Sequence, residues 1–280
     1  MNVLTIQSTV AFGHVGNAAA VPVLQRLGIA AWPIDTVQLS NHTDHPTVRG
    51  GAVEPARAAE IVAGLAEIGA LAACDALLTG YLGEPAMAEV AADALALVRA
   101  ANPKALYLCD PVMGSAAKGL YVKPKTAEVI AERLLPKADI AMPNGFELGR
   151  LAGCEVDGLD DALAACQSLS QHGPSTVVCT SLAGSGGAIA NLAVGGGGAW
   201  RVETPRLECP ANGAGDVLAA LYLGHTLGGA DTATALSRAV SGVYAVLRAS
   251  AAKGGRDLAL IESLDALAEP PEVFVAERFA

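Results

Sequence analysis

Short β-branched or apolar runs alternate along this chain with longer Ala-rich segments, in which apolar residues recur at helical spacing. This alternation is typical of an α/β sheet whose parallel strands are joined by crossover helices. The short runs predict six strands, over residues 3–7, 31–37, 76–79, 105–109, 140–142 and 176–180. The Ala-rich segments predict eight helices, over residues 17–27, 55–68, 85–101, 124–134, 145–151, 159–171, 215–227 and 230–251.

One further pair of apolar runs departs from this alternation. Residues 188–194 and 199–202 flank four consecutive glycines, which predicts a hairpin with a flexible turn at an antiparallel edge of the sheet. We therefore expect an α/β fold with a mainly parallel central sheet, helices on both faces and an antiparallel edge hairpin. A chain of 280 residues is long enough for one such domain, so we expect residues 1–280 to form a single domain.

Composition narrows the possible partners and the compartment. The chain has 28 acidic and 18 basic residues, a net charge of -10, so we expect it to bind neither nucleic acid nor an anionic membrane. Residues 162–200 lack charged side chains, but their Gly, Ser, Thr, Asn and Pro content predicts strands and turns, not a membrane span. The six cysteines form no C-x-x-C pair and the start of the chain has no basic signal segment, which favours a reducing, cytoplasmic compartment.

Polar clusters follow the predicted strands. Ligands of open α/β sheets bind outside the carboxyl ends of the strands, so we expect these clusters to form one site. They are Ser8, Asn41 to Thr43, Tyr81, Asp110, Asn144 with Glu147, and Thr180 with Ser181.

The sequence Ala-Asn-Gly-Ala-Gly-Asp, residues 211–216, opens an apolar segment that predicts a buried helix. Gly213 and Gly215, with Ala214 between them, let a ligand approach the backbone closely, and the amide groups at a helix start favour a phosphate. Asp216 is then a candidate general base beside an anion hole. This combination is typical of phosphoryl transfer to a hydroxyl group, although Asp near a helix start is often only a cap.

Two other carboxylates are candidates for binding a metal ion. Asp110 and Glu147 predict a Mg²⁺ site, since Mg²⁺ takes few protein oxygens beside substrate phosphates. Asn144 offers an amide that orients water or phosphate oxygens, and Thr180 and Ser181 offer hydroxyl groups to phosphates. Each also has a structural interpretation, as a turn cap, a helix residue or an ordinary strand end.

His42 and Tyr81 are candidates for contact with a small polar ring, although a lone His and a half-buried Tyr are more often structural. The chain has no Walker A pattern, and Gly184 to Gly187 predict a turn.

These segments resemble the pyridoxal kinases of the ribokinase superfamily over essentially the whole chain. The most specific motifs are Ile-Gln-Ser-x-Val-x-x-Gly-His-x-Gly-Asn at residues 6–17 and Thr-Val-Gln-x-Ser-Asn-His-Thr at residues 36–43. Thr-Gly-Tyr (79–81), Asp-Pro-Val-Met-Gly (110–114), Pro-Asn (143–144) and Gly-Ala-Gly-Asp (213–216) follow in order. The resemblance implies a ribokinase-like three-layer fold and phosphorylation of the 5′-hydroxymethyl group of pyridoxal by Mg-ATP.

The resemblance also implies a role for individual residues. Asp216 matches the base, and the amides of residues 213–216 match the anion hole. Tyr121 falls in a segment that covers the nucleotide and substrate in relatives. The residues matching the pyridoxal pocket are Ser8, Val15, Thr43 and Tyr81, with His42 beside them. Those matching the magnesium and ATP-phosphate site are Asp110, Asn144, Glu147, Thr180 and Ser181. Relatives are cytoplasmic homodimers that use Mg²⁺ and often a monovalent cation such as K⁺.

Two positions depart from the pattern of some relatives. Ser115 stands where an acidic residue follows Asp-Pro-Val-x-Gly, and Leu120 stands where a cysteine captures the substrate aldehyde. Two alternatives stay open. One is a kinase for hydroxymethylpyrimidine, and the other is a regulatory protein that binds pyridoxal or its phosphate with little catalysis.

Overall fold

The chain alternates strands and helices in the predicted order. The computed structural model describes residues 1–209 and 212–280. Within these residues the strands are β1 (Asn2–Val10), β2 (Ala30–Leu39), β3 (Gly50–Ala52), β4 (Ala76–Thr79), β5 (Leu106–Cys109), β6 (Gly114–Ser115), β7 (Gly119–Leu120), β8 (Ile140–Ala141), β9 (Thr176–Ala183), β10 (Ile189–Gly195), β11 (Gly198–Thr204) and β12 (Glu277–Arg278). The α-helices are α1 (Asn17–Arg26), α2 (Pro55–Glu67), α3 (Pro85–Ala101), α4 (Pro124–Val129), α5 (Gly145–Ala152), α6 (Leu159–Ser170), α7 (Ala214–Leu227), α8 (Thr232–Lys253) and α9 (Leu264–Ala268).

Ten of these strands form one sheet, in the order β12-β11-β10-β9-β8-β5-β4-β1-β2-β3. The central strands from β9 to β2 run parallel, whereas β10 to β12 on one side and β3 on the other are antiparallel. The predicted hairpin is β10–β11. Gly196 and Gly197 close it with φ of 59° and 83°, the left-handed angles that a two-residue type I′ turn requires.

Helices cover both faces of this sheet, as the sequence predicts. Successive strand residues point to opposite faces. Val3 and Leu78 therefore pack with α1, α7 and α8 in one core. Leu4 and Leu77 pack with α2 and α3 in a second core on the other face. A third cluster lies between α5, α6 and strands β9 and β10. The result is a three-layer sandwich.

Several details differ from the prediction, and helix α9 (Leu264–Ala268) was not predicted at all. The helix predicted over residues 124–134 is α-helical only to Val129 and continues as a π-helical turn over Ile130–Leu134, just before Pro136. The strands β3, β6, β7 and β12 were not predicted, because two or three residues are too few to show a period of two. Among the described residues, no helix has the length and apolar character needed to cross a membrane.

A β-bulge interrupts the pairing of β1 with β2. Gln7 lies opposite Asp35, but Thr9 lies opposite Gln38, so β2 contains one extra residue at this point. A bulge bends the strand and changes the direction in which the following chain leaves it. The loop that follows β2, residues 40–49, carries His42 and Thr43.

Candidate active site

The carboxyl ends of the parallel strands bring the predicted residues to one edge of the sheet. Tyr81, Asp110 and Asn144 follow β4, β5 and β8 as predicted. Ser8 lies inside β1, which runs on to Val10, so the prediction that it follows the strand was wrong. Thr180 and Ser181 likewise lie inside β9, because pairing with β10 extends that strand to Ala183.

The glycine motif begins α7, as the sequence predicts. Its first residue, Ala211, lies outside the described residues. Gly213 has a φ of 90° and is the residue before the first helical turn. A Cβ atom at Gly213 would lie 1.9 Å from the carbonyl oxygen of His14, so only glycine fits here. The free amides of this helix start therefore lie against the loop that precedes α1.

Asp216 lies in the first turn of α7. Burial raises the pKa of its carboxyl group to about 6, while the backbone amides of Gly16 and of Asp216 itself act in the opposite direction. Gly16 has a φ of 55°, and a Cβ atom there would lie 2.0 Å from the carbonyl oxygen of Ser8. The close packing of Gly16 on β1 thus allows its amide to reach the Asp216 carboxylate.

Asp110, Glu147 and Asp216 share one electrostatic environment. Burial raises the pKa of Asp110 well above its usual value, and the nearby charges of Glu147 and Asp216 raise it further. Burial is also the main cause that raises the pKa of Glu147. Three neighbouring carboxylates with raised pKa values have oxygen atoms available for a cation and negative charge for it to neutralise.

Glu147 is held in place by backbone amides. Its side chain, 2% exposed, accepts hydrogen bonds from the amides of Met113 (2.8 Å), Gly114 (3.2 Å) and Asn144 (2.9 Å). The Asn144 side chain accepts from the amide of Glu147 (3.0 Å) and donates to the carbonyl of Gly114 (2.9 Å). This capping box fixes the start of α5 and ties it to the segment after β5.

Replacing Asp110 by Asn is expected to stabilise the protein while it lowers activity. A group whose pKa is raised in the folded state destabilises it progressively as the pH rises through that pKa. Asn keeps the shape and removes the charge, so we expect about 1 kcal/mol of added stability at pH 8. Thermal unfolding of the nucleotide-free protein measures the gain, roughly 2–4 °C in Tm. At pH 5 the difference should shrink, and a lower Tm for Asp110→Asn at pH 8 would contradict the account.

A cleft of about 260 Å³ opens beside the glycine motif, between the ends of β9 and β10 and the helices α7 and α8. The residues lining it include Thr180, Ser181, Ala214 and Gly215, which the sequence assigns to phosphate binding, together with apolar Leu218 and Val240. Ser181 has a φ of 60°, unusual for a residue with a side chain, and its amide donates to Asn191 Oδ1 (3.3 Å). The cleft thus has a polar end at α7 and an apolar end at α8.

Two of the residues predicted to line the substrate pocket lie beside the loop that precedes α1. A Cβ atom at Gly16, next to Val15, would meet Ser8, and one at Gly13 would lie 3.7 Å from the His42 ring. Tyr81 is half-buried beside Gly83. His42 is buried, whereas Thr43 is exposed.

The hairpin β6–β7 begins beside Glu147, which accepts a hydrogen bond from the amide of Gly114, and Tyr121 directly follows the hairpin. Burial raises the pKa of Tyr121, and the charges of Glu147, Asp110 and Asp216 raise it further. At the hairpin, Lys118 Nζ pairs with Asp44 Oδ1 at 2.6 Å, and the other oxygen of Asp44 accepts from the Asn212 side chain at 3.0 Å. Asp44 therefore connects the hairpin, the loop after β2 and the glycine motif.

Sequence analysis missed several groups at this edge. The amide of Gly16 and the side chains of Asp44, His45 and Asp257 belong to it. Gly16 lies inside the motif of residues 6–17, so the sequence could have indicated a close backbone approach there. Asp257 follows α8 and is far from the loop after β2 in sequence, so the sequence does not indicate their contact.

Comparisons with known proteins show the family and the fold of this chain. A family model described as phosphomethylpyrimidine kinase matches residues 36–259. A protein named pyridoxal kinase PdxY from Rubrobacter xylanophilus is 46% identical over 284 residues, which cover 100% of this chain and 98% of that protein. One of the same name from Leifsonia xyli is 44% identical over 281 residues, 99% of each chain. A pyridoxal kinase from Leishmania donovani, solved with ADP and pyridoxine, has a TM-score of 0.93 at 31% identity and covers 100% of this chain and 99% of its own.

The three-layer sheet with its glycine motif at α7 is thus the ribokinase-like fold, and the protein is an enzyme of the kinase class. The chain belongs to the pyridoxal kinase family. This agrees with the resemblance carried by residues 6–17 and 36–43.

Proposed function

We propose that this enzyme transfers the γ-phosphoryl group of ATP to the 5′-hydroxymethyl group of pyridoxal, giving pyridoxal 5′-phosphate. One observation carries the proposal. Asp216, with a pKa of about 6, lies in the first turn of α7, next to Ala214 and Gly215, which line the cleft. The relatives named pyridoxal kinase and the relative solved with ADP and pyridoxine support both substrates.

Asp216 accepts the proton of the 5′-hydroxyl group as its oxygen attacks the γ-phosphorus. A raised pKa makes the carboxylate a stronger base than a free Asp, and a value of about 6 still leaves it ionised at neutral pH. The amide of Gly16 orients the carboxylate. We assign no other side chain a proton transfer, because phosphoryl transfer depends mainly on positioning and on stabilising charge.

In this proposal, the amides of residues 213–216 at the start of α7 stabilise the developing charge on the transferred group, which the N-terminal end of the α7 dipole also favours. Thr180 and Ser181 offer hydroxyl groups to the phosphates from the opposite wall of the cleft. The apolar end of the cleft, at Val240 and Tyr244, then receives the base of the nucleotide.

Asp110 and Glu147 fit a Mg²⁺ ion. Their donors are carboxylate oxygens, which Mg²⁺ prefers, and a cation would offset the mutual repulsion of Asp110 with Glu147 and Asp216. Three backbone amides already occupy Glu147, so Asp110 is the more direct ligand and Glu147 acts mainly by fixing the segment around Met113. When bound, Mg²⁺ neutralises charge on the phosphates.

The pocket side accommodates the pyridoxal ring among Ser8, Val15, His42, Thr43 and Tyr81. A single domain over residues 1–280 is supported by the continuous ten-stranded sheet. The homodimer and the monovalent cation rest on the resemblance, and the cytoplasmic location rests on the resemblance, the cysteines and the first residues of the sequence. All three remain predictions.

Incubation of the enzyme with Mg-ATP and single acceptors tests the proposal. We expect ADP release and pyridoxal 5′-phosphate with pyridoxal, and little turnover with ribose, whose ring lacks the aromatic face for Tyr81. Pyridoxine and pyridoxamine, assayed in parallel, define the preference at the 4-substituent.

Hydroxymethylpyrimidine is the second candidate acceptor, since the matching family model is described as phosphomethylpyrimidine kinase. Faster phosphorylation of hydroxymethylpyrimidine than of pyridoxal in direct competition would replace the proposed substrate. Binding of pyridoxal without ADP release would favour the regulatory alternative.

A further inference from the structure

Two histidines and one carboxylate meet at the outer side of the predicted pocket. His42 and His45 come from the loop after β2, and Asp257 comes from the segment after α8. His42 Nε2 lies 3.2 Å from Asp257 Oδ1, and His45 Nε2 lies 3.2 Å from Asp257 Oδ2. The two imidazole rings are tilted, with centroids 4.4 Å apart. One ligand atom from each residue therefore lies within 4.8 Å of the others.

His42 is the buried member of this cluster. It is 6% exposed, and its Nε2 atom makes no hydrogen bond of good geometry with any described residue, although it points toward Asp257. A buried nitrogen without a hydrogen bond costs about 1–3 kcal/mol. His45 and Asp257 are half-buried, so an ion can enter from their side. The buried Nε2 atom of His42 therefore faces the carboxylate of Asp257, which solvent can reach.

The donor set selects a class of ion. Two imidazoles with one carboxylate suit Zn²⁺ and similar transition-metal ions, whereas Mg²⁺ prefers oxygen ligands alone. Bonds of about 2.0–2.1 Å to a tetrahedral ion place its ligand atoms about 3.3 Å apart. Asp257 Oδ1 lies 3.2 Å from His42 Nε2 and 3.4 Å from His45 Nε2, so a single carboxylate oxygen is close to that spacing from both nitrogens.

We propose that His42, His45 and Asp257 bind a divalent transition-metal ion such as Zn²⁺, at a site separate from Asp110 and Glu147. Nε2 of both histidines would supply the lone pair, so the proton of His42 must be on Nδ1. That nitrogen now accepts from the amide of Asp44 at 3.3 Å, a long contact that binding would break. A fourth position remains for water.

The bound ion would join loops that otherwise meet only through side chains. Asp257 also packs against Gly13, where a Cβ atom would lie 2.2 Å from Oδ1. The ion therefore fixes the loop after β2 against the segment after α8, beside the loop that precedes α1. Its effect falls on the wall of the substrate pocket and not on the phosphates.

Co²⁺ is the probe, because its visible absorption spectrum reports nitrogen ligands and low coordination number. The full chain is titrated without nucleotide, with Cys154 and Cys209 changed to Ser so that no accessible thiol competes. We expect one Co²⁺ per chain with an intense visible band, unaffected by millimolar Mg²⁺ and displaced by Zn²⁺. The readout is independent of catalysis, so it stands apart from the proposed kinase activity.

His45→Gln and Asp257→Asn each remove one ligand and should weaken Co²⁺ binding at least about 10-fold. His172→Gln is the matched control, since His172 is exposed on α6's C-terminal side and should leave the affinity unchanged. Circular dichroism checks that each variant is folded. For any variant that is not, ¹⁵N shifts of the wild-type histidine rings on adding Zn²⁺ give the same answer. The proposal would be overturned by a spectrum of hydrated Co²⁺, or by a Co²⁺ affinity in both ligand variants equal to that of the wild type.

Discussion

Replacing Asp216 by Asn is expected to lower kcat by about 10²–10⁴-fold, the usual contribution of a general base. Asn has nearly the same shape but cannot accept the proton of the 5′-hydroxyl group. It can still accept the hydrogen bond from the amide of Gly16 through its carbonyl oxygen. Binding of pyridoxal and ATP should therefore change little, and kcat should account for nearly all of the loss. Steady-state kinetics with the pyridoxal and ATP concentrations varied separately distinguishes an effect on kcat from an effect on KM.

The pH profile provides the control for this variant. Because burial raises the pKa of Asp216 to about 6, the protonated and inactive form of the base accumulates below that pH. The wild-type rate should rise with pH through about 6, whereas the residual rate of Asp216→Asn should lack this step. If the variant kept the step and most of the rate, another group would be the base.

Replacing Gly213 by Ala is expected to reduce kcat/KM by about 10²-fold. The φ of 90° is unfavourable for Ala, and the new Cβ atom would lie 1.9 Å from the carbonyl oxygen of His14. Two backbone segments must then move apart, and a displacement of about 1 Å in a positioned group costs about 10²-fold in rate. The loss should appear in phosphoryl transfer, measured in a single turnover with saturating ATP.

Gly28→Ala is the matched control for Gly213→Ala. Gly28 also has a left-handed φ, of 75°, but a Cβ atom there meets no atom within 4 Å. It lies between α1 and β2, at the opposite edge of the sheet from the site. Both variants should lose about 1 kcal/mol of stability from backbone strain. Gly213→Ala should lose more because of its contact with His14, and it alone should lose activity. Equal activity of the two would show that the contact with His14 does not position the anion hole.

The fold was largely predictable because the buried strands and helices are long enough to show a period. The strand at residues 76–79 and the helix at residues 85–101 were predicted with the bounds that the structure shows. β9 was predicted three residues too short, since Ser181, Leu182 and Ala183 become strand only by pairing with β10. Such pairing is a tertiary effect that a local pattern does not contain.

The candidate site was predictable where its chemistry sits in a local motif. The glycines fixed the start of α7, and the close approach of Gly213 to His14 explains why glycine stands there. The role of Glu147 in holding the amides of Met113 and Gly114 was not predictable, because 33 and 34 positions separate the partners. Asp257 meets His45 across 212 positions, and no spacing rule connects them.

The bulge between β1 and β2 couples the length of one strand to the position of a loop. Deleting the extra residue of β2 beyond Asp35 would restore regular pairing with β1 and remove the local bend. The loop after β2 would then leave the sheet in another direction and carry His42 away from Asp257, although neither residue had been substituted. We therefore expect insertions and deletions to be less tolerated in this short segment than in the exposed turns of the same protein. Under the proposed function, a one-residue change in the length of β2 would alter acceptor preference from outside the predicted pocket.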